Sequence, residues 1–252
     1  HTTGLSAGTS IIGKFVLKLD PNFLAECNKY IETKINVTGT NGKTTTAGLI
    51  SHLIEGANKS VVNNAMGANM LTGVVNALSV SLNPFKKTDF SVIESDEAYL
   101  AKIYDKFEAD YLVVTNLFRD QLDRYGELET TKRLIQEGIN KRANVKLVLN
   151  ADDPLVASFE GKNKILYGVE NVYYADESLK ANTSVEEAFN CPCGKPLMYS
   201  KKFYAQQGHY FCTCGYKRPE PKYKAEISLY KEYSVIKVND ENFEVPLVGL
   251  FN

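Results

Sequence analysis

The chain lacks a charge bias, a long apolar run and a targeting signature. Its 252 residues carry 29 Lys/Arg against 30 Asp/Glu, a net charge of −1, so no general attraction pulls it toward nucleic acid. No apolar stretch approaches the ~18 residues of a membrane-spanning helix, and no signal-peptide pattern is visible. A cytoplasmic protein is the expectation. No internal repeat or low-complexity tract is present, which excludes a repeat array. Cysteine is scarce: of five, four lie in two tight pairs and Cys27 stands alone. Pairs so spaced in an intracellular chain point to metal rather than to a disulfide framework. What remains is ordinary globular composition, 44% hydrophobic and 23% charged, in a chain long enough for one large domain or one domain plus a small module.

The most specific stretch is Gly39-Thr40-Asn41-Gly42-Lys43-Thr44-Thr45. It follows a strand-like run, Ile35-Asn36-Val37-Thr38, and precedes a helical pattern. Glycines let backbone N–H groups close around phosphate oxygens, and the helix N-terminus adds partial positive charge. Lys43 can then reach a β/γ-phosphate, and Thr44 can ligate Mg²⁺. The loop is shorter than the general P-loop, with Val37 where that pattern has its first glycine. ATP is the expected ligand. Glu94 closes an apolar strand where a second Mg²⁺ ligand is expected. Glu97 is a second choice, and Asp96 or Glu97 can alternatively start a helix as caps.

Residues 43–57 place Ala47, Ile50, Leu53, Ile54 and Ala57 on one helical face. Strand candidates follow at 60–63, 90–94, 111–115, 146–150 and 164–167, with helical stretches such as 97–107 and 128–141 between them. Apolar strands alternating with helices predict an α/β fold with a mostly parallel sheet flanked by helices. Ligands of such sheets bind at the carboxyl ends of the strands. Residues 1–33 read as a short N-terminal lead-in segment with a turn-rich start at Gly4, Gly8 and Gly13. Residues 225–238 alternate like a hairpin strand.

Between about 170 and 225 the helix–strand alternation stops. Cys191-Pro192-Cys193-Gly194 and Cys212-Thr213-Cys214-Gly215 frame a Tyr-rich hairpin. Four thiolates suit tetrahedral Zn²⁺ in a closed structural site, so 170–225 reads as an inserted zinc-ribbon-like module. Both knuckles are C-x-C rather than the usual C-x₂-C, a shortening expected to strain the usual N–H···S bonds. Residues 191–224 hold seven Lys/Arg against one Glu. That excess has three readings: a solvated face, an attraction to an anionic membrane surface or lipid-linked pyrophosphate, and nucleic-acid binding by the ribbon, which the ATP motifs elsewhere in the chain do not favour.

The P-loop variant resembles that of the Mur ligases, which join amino acids to peptidoglycan precursors. The likeness extends through Asn63-Asn64-Ala65-Met66-Gly67-Ala68-Asn69-Met70-Leu71-Thr72-Gly73, Glu94-Ser95-Asp96-Glu97-Ala98, the run from Thr115-Asn116 to Tyr125-Gly126-Glu127, and Asn150-Ala151-Asp152-Asp153-Pro154. With the cysteine module, these look like the lipid II isoglutaminyl synthase branch of that family, whose ligase subunit works with a GatD-like glutaminase subunit. The resemblance implies a central ATP-binding domain over 34–252, with Lys43 and Glu94 catalytic. It implies nucleotide contacts from residues 39–45 (Gly39, Thr40, Asn41, Gly42, Lys43, Thr44, Thr45), Asn69, Asn116 and Asn252, and Mg²⁺ held by Thr44 and Glu94. Gln121 stands where many members have a metal-binding His, beside Asp120 and Asp123. Gln136 and Ile135 occupy the register of a carbamoylated Lys in many members. In the family the chain continues past the Asn252 position into a C-terminal domain, expected to be absent here.

The implied reaction is phosphorylation of the α-carboxylate of D-glutamate in the lipid II stem peptide, followed by amidation with glutamine-derived ammonia. The expected place is the inner face of the membrane, without a transmembrane segment. Two alternatives stay open: a folylpolyglutamate synthase-like ligase, and a P-loop ATPase or binding module recruiting partners through a zinc ribbon.

Overall fold

The computed structural model describes residues 5–64, 68–118, 127–175 and 189–246. The chain divides into two compact units, one of residues 1–147 and 160–164, the other of residues 148–159 and 165–252.

In the first unit, α1 (Leu5–Leu19) and the short α2 (Phe23–Cys27) lead into β1 (Ile31–Thr38), then α3 (Lys43–Gly56), β2 (Val61–Asn63), α4 (Leu71–Ser81), β3 (Thr88–Glu94), α5 (Glu97–Tyr104), β4 (Tyr111–Val114) and α6 (Glu127–Lys141). The strands lie in the order β4-β1-β3-β2, and β1 pairs in parallel with both β3 and β4, as β2 does with β3. Strands so placed are shielded from solvent on both faces, which is why Val37, Val92, Ile93, Leu112 and Val114 are fully buried. On one face Ala47, Ile50 and Ile54 of α3 pack against Val37 and Val92. Leu53, expected on that face, is 65% exposed, and Ser51 is buried in its stead. The Ser51 hydroxyl is satisfied within the helix by the Ala47 carbonyl.

The turns expected at Gly8 and Gly13 are not formed, and Gly4 lies outside the described residues. Gly8 and Gly13 lie inside α1, which packs on α4. A Cβ at Gly13 would stand 1.8 Å from the Thr72 carbonyl oxygen. Gly13 thus serves the close approach of two helices rather than a turn.

The boundary between the units runs through β5 (Lys146–Asn150). The second unit continues with α7 (Pro154–Ala157), β6 (Asn163–Tyr174), β7 (Met198–Tyr204), β8 (Gln207–Phe211), β9 (Tyr223–Leu229), β10 (Ser234–Val238) and β11 (Glu241–Val245). β6 pairs in parallel with β9, while β9, β10 and β11 form an antiparallel meander. β7 and β8 are a separate hairpin. Strand β6 runs well beyond the expected 164–167. The stretch read as an insert, 170–225, therefore begins and ends inside paired strands. The expected hairpin strand over 225–238 is two strands, β9 and β10, reversed around Tyr230 and Tyr233, whose rings stack 4.6 Å apart.

Candidate functional site: a P-loop and a four-cysteine cluster

β1 stops at Thr38 and α3 starts at Lys43, so the Gly39–Gly42 stretch spans the carboxyl edge of the sheet. Gly39 has φ +125°, and a Cβ there would lie 2.3 Å from Thr115 Oγ1. Only glycine meets both demands. Gly42 (φ +77°) is the N-cap of α3 and supplies no side-chain acceptor, leaving the first N–H groups of the helix without a capping side chain.

Asn116 braces this loop. Its Oδ1 accepts from Asn41 N–H at 3.0 Å, its Nδ2 donates to Asn41 O at 3.1 Å, and its own carbonyl accepts from Thr40 N–H at 2.9 Å. Thr115 Oγ1 donates to Asn41 O at 2.7 Å, and Thr40 Oγ1 accepts from Phe118 N–H at 3.2 Å. The side chain expected to touch nucleotide is thus engaged with the loop that would hold it.

Lys43 Nζ folds back onto the loop, 2.5 Å from Gly39 O and 3.0 Å from Thr40 O, with Glu97 Oε1 at 3.4 Å. Thr44 Oγ1 donates to Glu94 Oε2 at 2.8 Å, and Asn69 Nδ2 donates to Glu94 Oε1 at 3.1 Å. Glu94 is buried and its backbone is clamped by Asn64, which accepts from Glu94 N–H and donates to Glu94 O, both at 2.8 Å. A buried carboxylate facing a P-loop threonine is a donor set suited to a hard cation such as Mg²⁺. Thr44, Ala47, Gly48, Asn63, Asn64 and Glu94 line a small pocket there. Asp96 is the N-cap of α5, accepting from Ala98 N–H at 2.9 Å. Glu97 points to Lys43 instead. Thr45 is exposed in the first turn of α3.

Sequence reasoning brought Lys43, Thr44, Asn69 and Glu94 to one place. It missed Asn64, which sits in the quoted Asn63-Asn64 motif directly after β2. Asp120, Gln121, Asp123 and Asn252 lie outside the described residues.

The second unit holds the cysteines. The Cys191 and Cys214 sulfurs are 3.4 Å apart, those of Cys193 and Cys212 3.7 Å, and all four ligand atoms lie within 4.8 Å of one another. A tetrahedral S₄ site with Zn–S near 2.3 Å has sulfur–sulfur edges of about 3.8 Å, so the thiols fit a tetrahedral metal. The two knuckles are alike. Cys191 N–H donates to Lys195 O and Cys212 N–H to Tyr216 O, both at 2.7 Å. Each is followed by a left-handed glycine, Gly194 at φ +84° and Gly215 at φ +95°. The shortening is expected to strain the usual N–H···S bonding, yet the backbone N–H of Cys193 still acts to lower the Cys191 thiol and that of Cys214 the Cys212 thiol. The Cys214 N–H is the main reason the Cys212 thiol is lowered to about 6, while desolvation pushes Cys191 up to about 12.

The hairpin between the knuckles docks on the turn after β5. Gln206 Nε2 donates to Asp153 Oδ2 at 3.1 Å, Gly208 N–H to Asp152 O at 2.9 Å, and Tyr216 OH to Pro154 O at 3.3 Å. Asp153 N-caps α7 through Leu155 N–H and Val156 N–H, with Pro154 following in the first turn. The Asp152-Asp153-Pro154 motif is thereby explained by structure alone.

The Mur ligase middle domain matches residues 37–252. The chain belongs to the Mur ligase family. Among curated relatives, it is 34% identical over 248 residues to the lipid II isoglutaminyl synthase (glutamine-hydrolyzing) subunit MurT of Staphylococcus aureus, covering 97% of this chain and 55% of that protein. It is 33% identical to the MurT subunit of Streptococcus pneumoniae, over 98% and 56%. The chain thus spans about half the length of the curated relatives it matches. A pseudomurein peptide ligase type C from Methanothermus fervidus superposes with a TM-score of 0.69 at 28% identity, over 88% of this chain and 44% of that one. MurF from Thermotoga maritima in complex with ADP shares the fold, with a TM-score of 0.56 at 16% identity over 98% and 45%. Among the described residues, no helix is long and apolar enough to cross a membrane.

Proposed function

We propose that this chain carries the ATP-binding centre of an amide ligase subunit acting on lipid II. It would activate the D-glutamate α-carboxylate of the stem peptide for conversion to D-isoglutamine. A GatD-like glutaminase subunit would supply the ammonia. The observation that carries this reading is the convergence of Lys43, Thr44, Asn69 and Glu94 around a braced P-loop, in a chain most of whose length resembles MurT subunits.

The residues divide the work. The N–H groups at the start of α3 receive the phosphates, and Lys43 exchanges the Gly39 and Thr40 carbonyls for phosphate oxygens. Thr44 and Glu94 would hold Mg²⁺, which would offset triphosphate charge and polarise the γ-phosphoryl group. Asn69 holds the Glu94 carboxylate and Asn64 its backbone, so the site needs little reorganisation when charge develops. The stem carboxylate oxygen attacks the γ-phosphorus and ADP leaves. Ammonia then attacks the acyl phosphate carbon, phosphate departs, and the surplus proton passes to solvent. The four cysteines would hold a structural zinc ion. The ribbon hairpin is engaged by its own unit's Asp152–Asp153 turn, which favours a structural module over one that recruits partners.

The test is ADP release by the full-length protein with its glutaminase partner. Turnover that needs both lipid II and an ammonia source supports the ligase. Equal turnover without acceptor contradicts it and favours an ATPase module.

A further inference from the structure

Helix α1 has two faces. Gly13 is pressed to α4, and Val16 and Leu17 are half-buried beside it. On the other side Ile11, Ile12, Phe15 and Leu19 are 66, 48, 61 and 71% exposed. With 3.6 residues per turn these four occupy an arc of about 100°. Lys14 and Lys18, both exposed, fall directly next to that arc. The helix contains no Asp or Glu, and among the described residues no ion pair engages either lysine. Apolar side chains scattered singly need no explanation, but four contiguous ones do.

We infer that this face of α1 docks on an anionic phospholipid surface. The four apolar side chains would enter the headgroup–acyl boundary, while the two lysines extend their stems and place their ammonium groups at lipid phosphates. Charge complementarity selects this occupant. A protein interface depletes lysine next to its buried core, whereas a lipid surface rewards it. The inference deepens the proposed function and rests on it in one respect: a lipid-linked acceptor sits at such a surface, so docking there raises encounters between the P-loop unit and its substrate.

The experiment is co-sedimentation of the full-length protein with phosphatidylcholine vesicles, with and without phosphatidylglycerol. Wild type is expected to pellet with the anionic vesicles and to be released by salt. Lys14→Gln and Lys18→Gln should each weaken binding about five-fold, and Phe15→Ser with Leu19→Ser should abolish it while ATP binding stays intact. Three results would overturn the inference: no vesicle binding by wild type, equal binding to neutral vesicles, or a Phe15→Ser/Leu19→Ser protein that binds as wild type does. Conversion of a dimer to a monomer by that double variant, without vesicle binding, would assign the face to a second copy and equally refute it. Amidation of detergent-solubilised lipid II separates the two readings. Wild type failing there sinks the proposed function. Amidation without vesicle binding sinks only the docking.

Discussion

Arg218 Nε donates to Asp152 Oδ1 at 2.6 Å, with only 9% and 2% of the two side chains exposed. Arg218 also reaches Glu170 at 3.1 Å, and Asp152 Oδ2 accepts from Val169 N–H at 2.7 Å. Burial pushes the Asp152 carboxyl up, while the Val169 N–H and the guanidinium pull it back less strongly. Arg218→Met leaves a buried carboxylate alone, which should cost about 3 kcal/mol in urea unfolding. The sign with pH follows. Without its cation the folded-state pKa of Asp152 rises further above the unfolded value. Stability of the variant is then greatest below the unfolded pKa and is lost as pH rises through the folded one. Its deficit should shrink as pH falls toward the carboxylate range. A deficit independent of pH would contradict this account.

Metal content follows from the cysteine geometry. The purified protein is expected to hold one zinc ion per chain, and Cys191→Ser to lose it. Because Cys212 N–H is tied to Tyr216 O and Arg218 N–H to Tyr210 O, chelation should speed hydrogen exchange at Cys212 and Arg218. Unchanged exchange after complete metal removal would show that the ribbon does not depend on the ion.

Asn116 is a positioning residue, so its loss should act on nucleotide binding through the loop. Asn116→Ala removes two hydrogen bonds to Asn41 and is expected to raise the ATP Kd about ten-fold by calorimetry. Asn116→Asp keeps the acceptor for Asn41 N–H but not the donor and should fall between. Wild-type affinity in both variants would remove the brace from the mechanism.

The α1–α4 contact predicts a cost at Gly13. A valine would meet the Thr72 carbonyl well inside contact distance, so Gly13→Val should destabilise the protein by about 1–3 kcal/mol through forced helix separation. A thermal midpoint equal to that of wild type would contradict the packing.

Much of the site was legible because its residues sit at ends of strands that alternate with helices. Lys43 and Thr44 follow β1, and Glu94 is the last residue of β3. The 146–150 strand matched its candidate bounds, and α6 began one residue before its own. The legible part stops where a residue's role depends on a distant partner. Gly13 looks like a turn until Thr72, far along the chain, is set against it. Asp152 and Asp153 read as a motif, and their partners Gln206, Gly208 and Arg218 arrive more than fifty residues later. Leu53 fits the periodicity of α3, yet the buried position went to Ser51, whose hydroxyl the helix itself satisfies. The lowering of the Cys212 thiol by the Cys214 N–H could not be read from spacing, because it depends on the turn each knuckle adopts.

The most direct test of the ligase reading follows the mass of the stem peptide. The full-length protein and its glutaminase partner are incubated with lipid II, ATP, Mg²⁺ and glutamine, alongside Lys43→Ala. Wild type is predicted to replace one carboxyl hydroxyl by an amide, and Lys43→Ala to slow this about 10²–10³-fold. ATP hydrolysis with no change in the stem peptide, or amidation undiminished in Lys43→Ala, would contradict it.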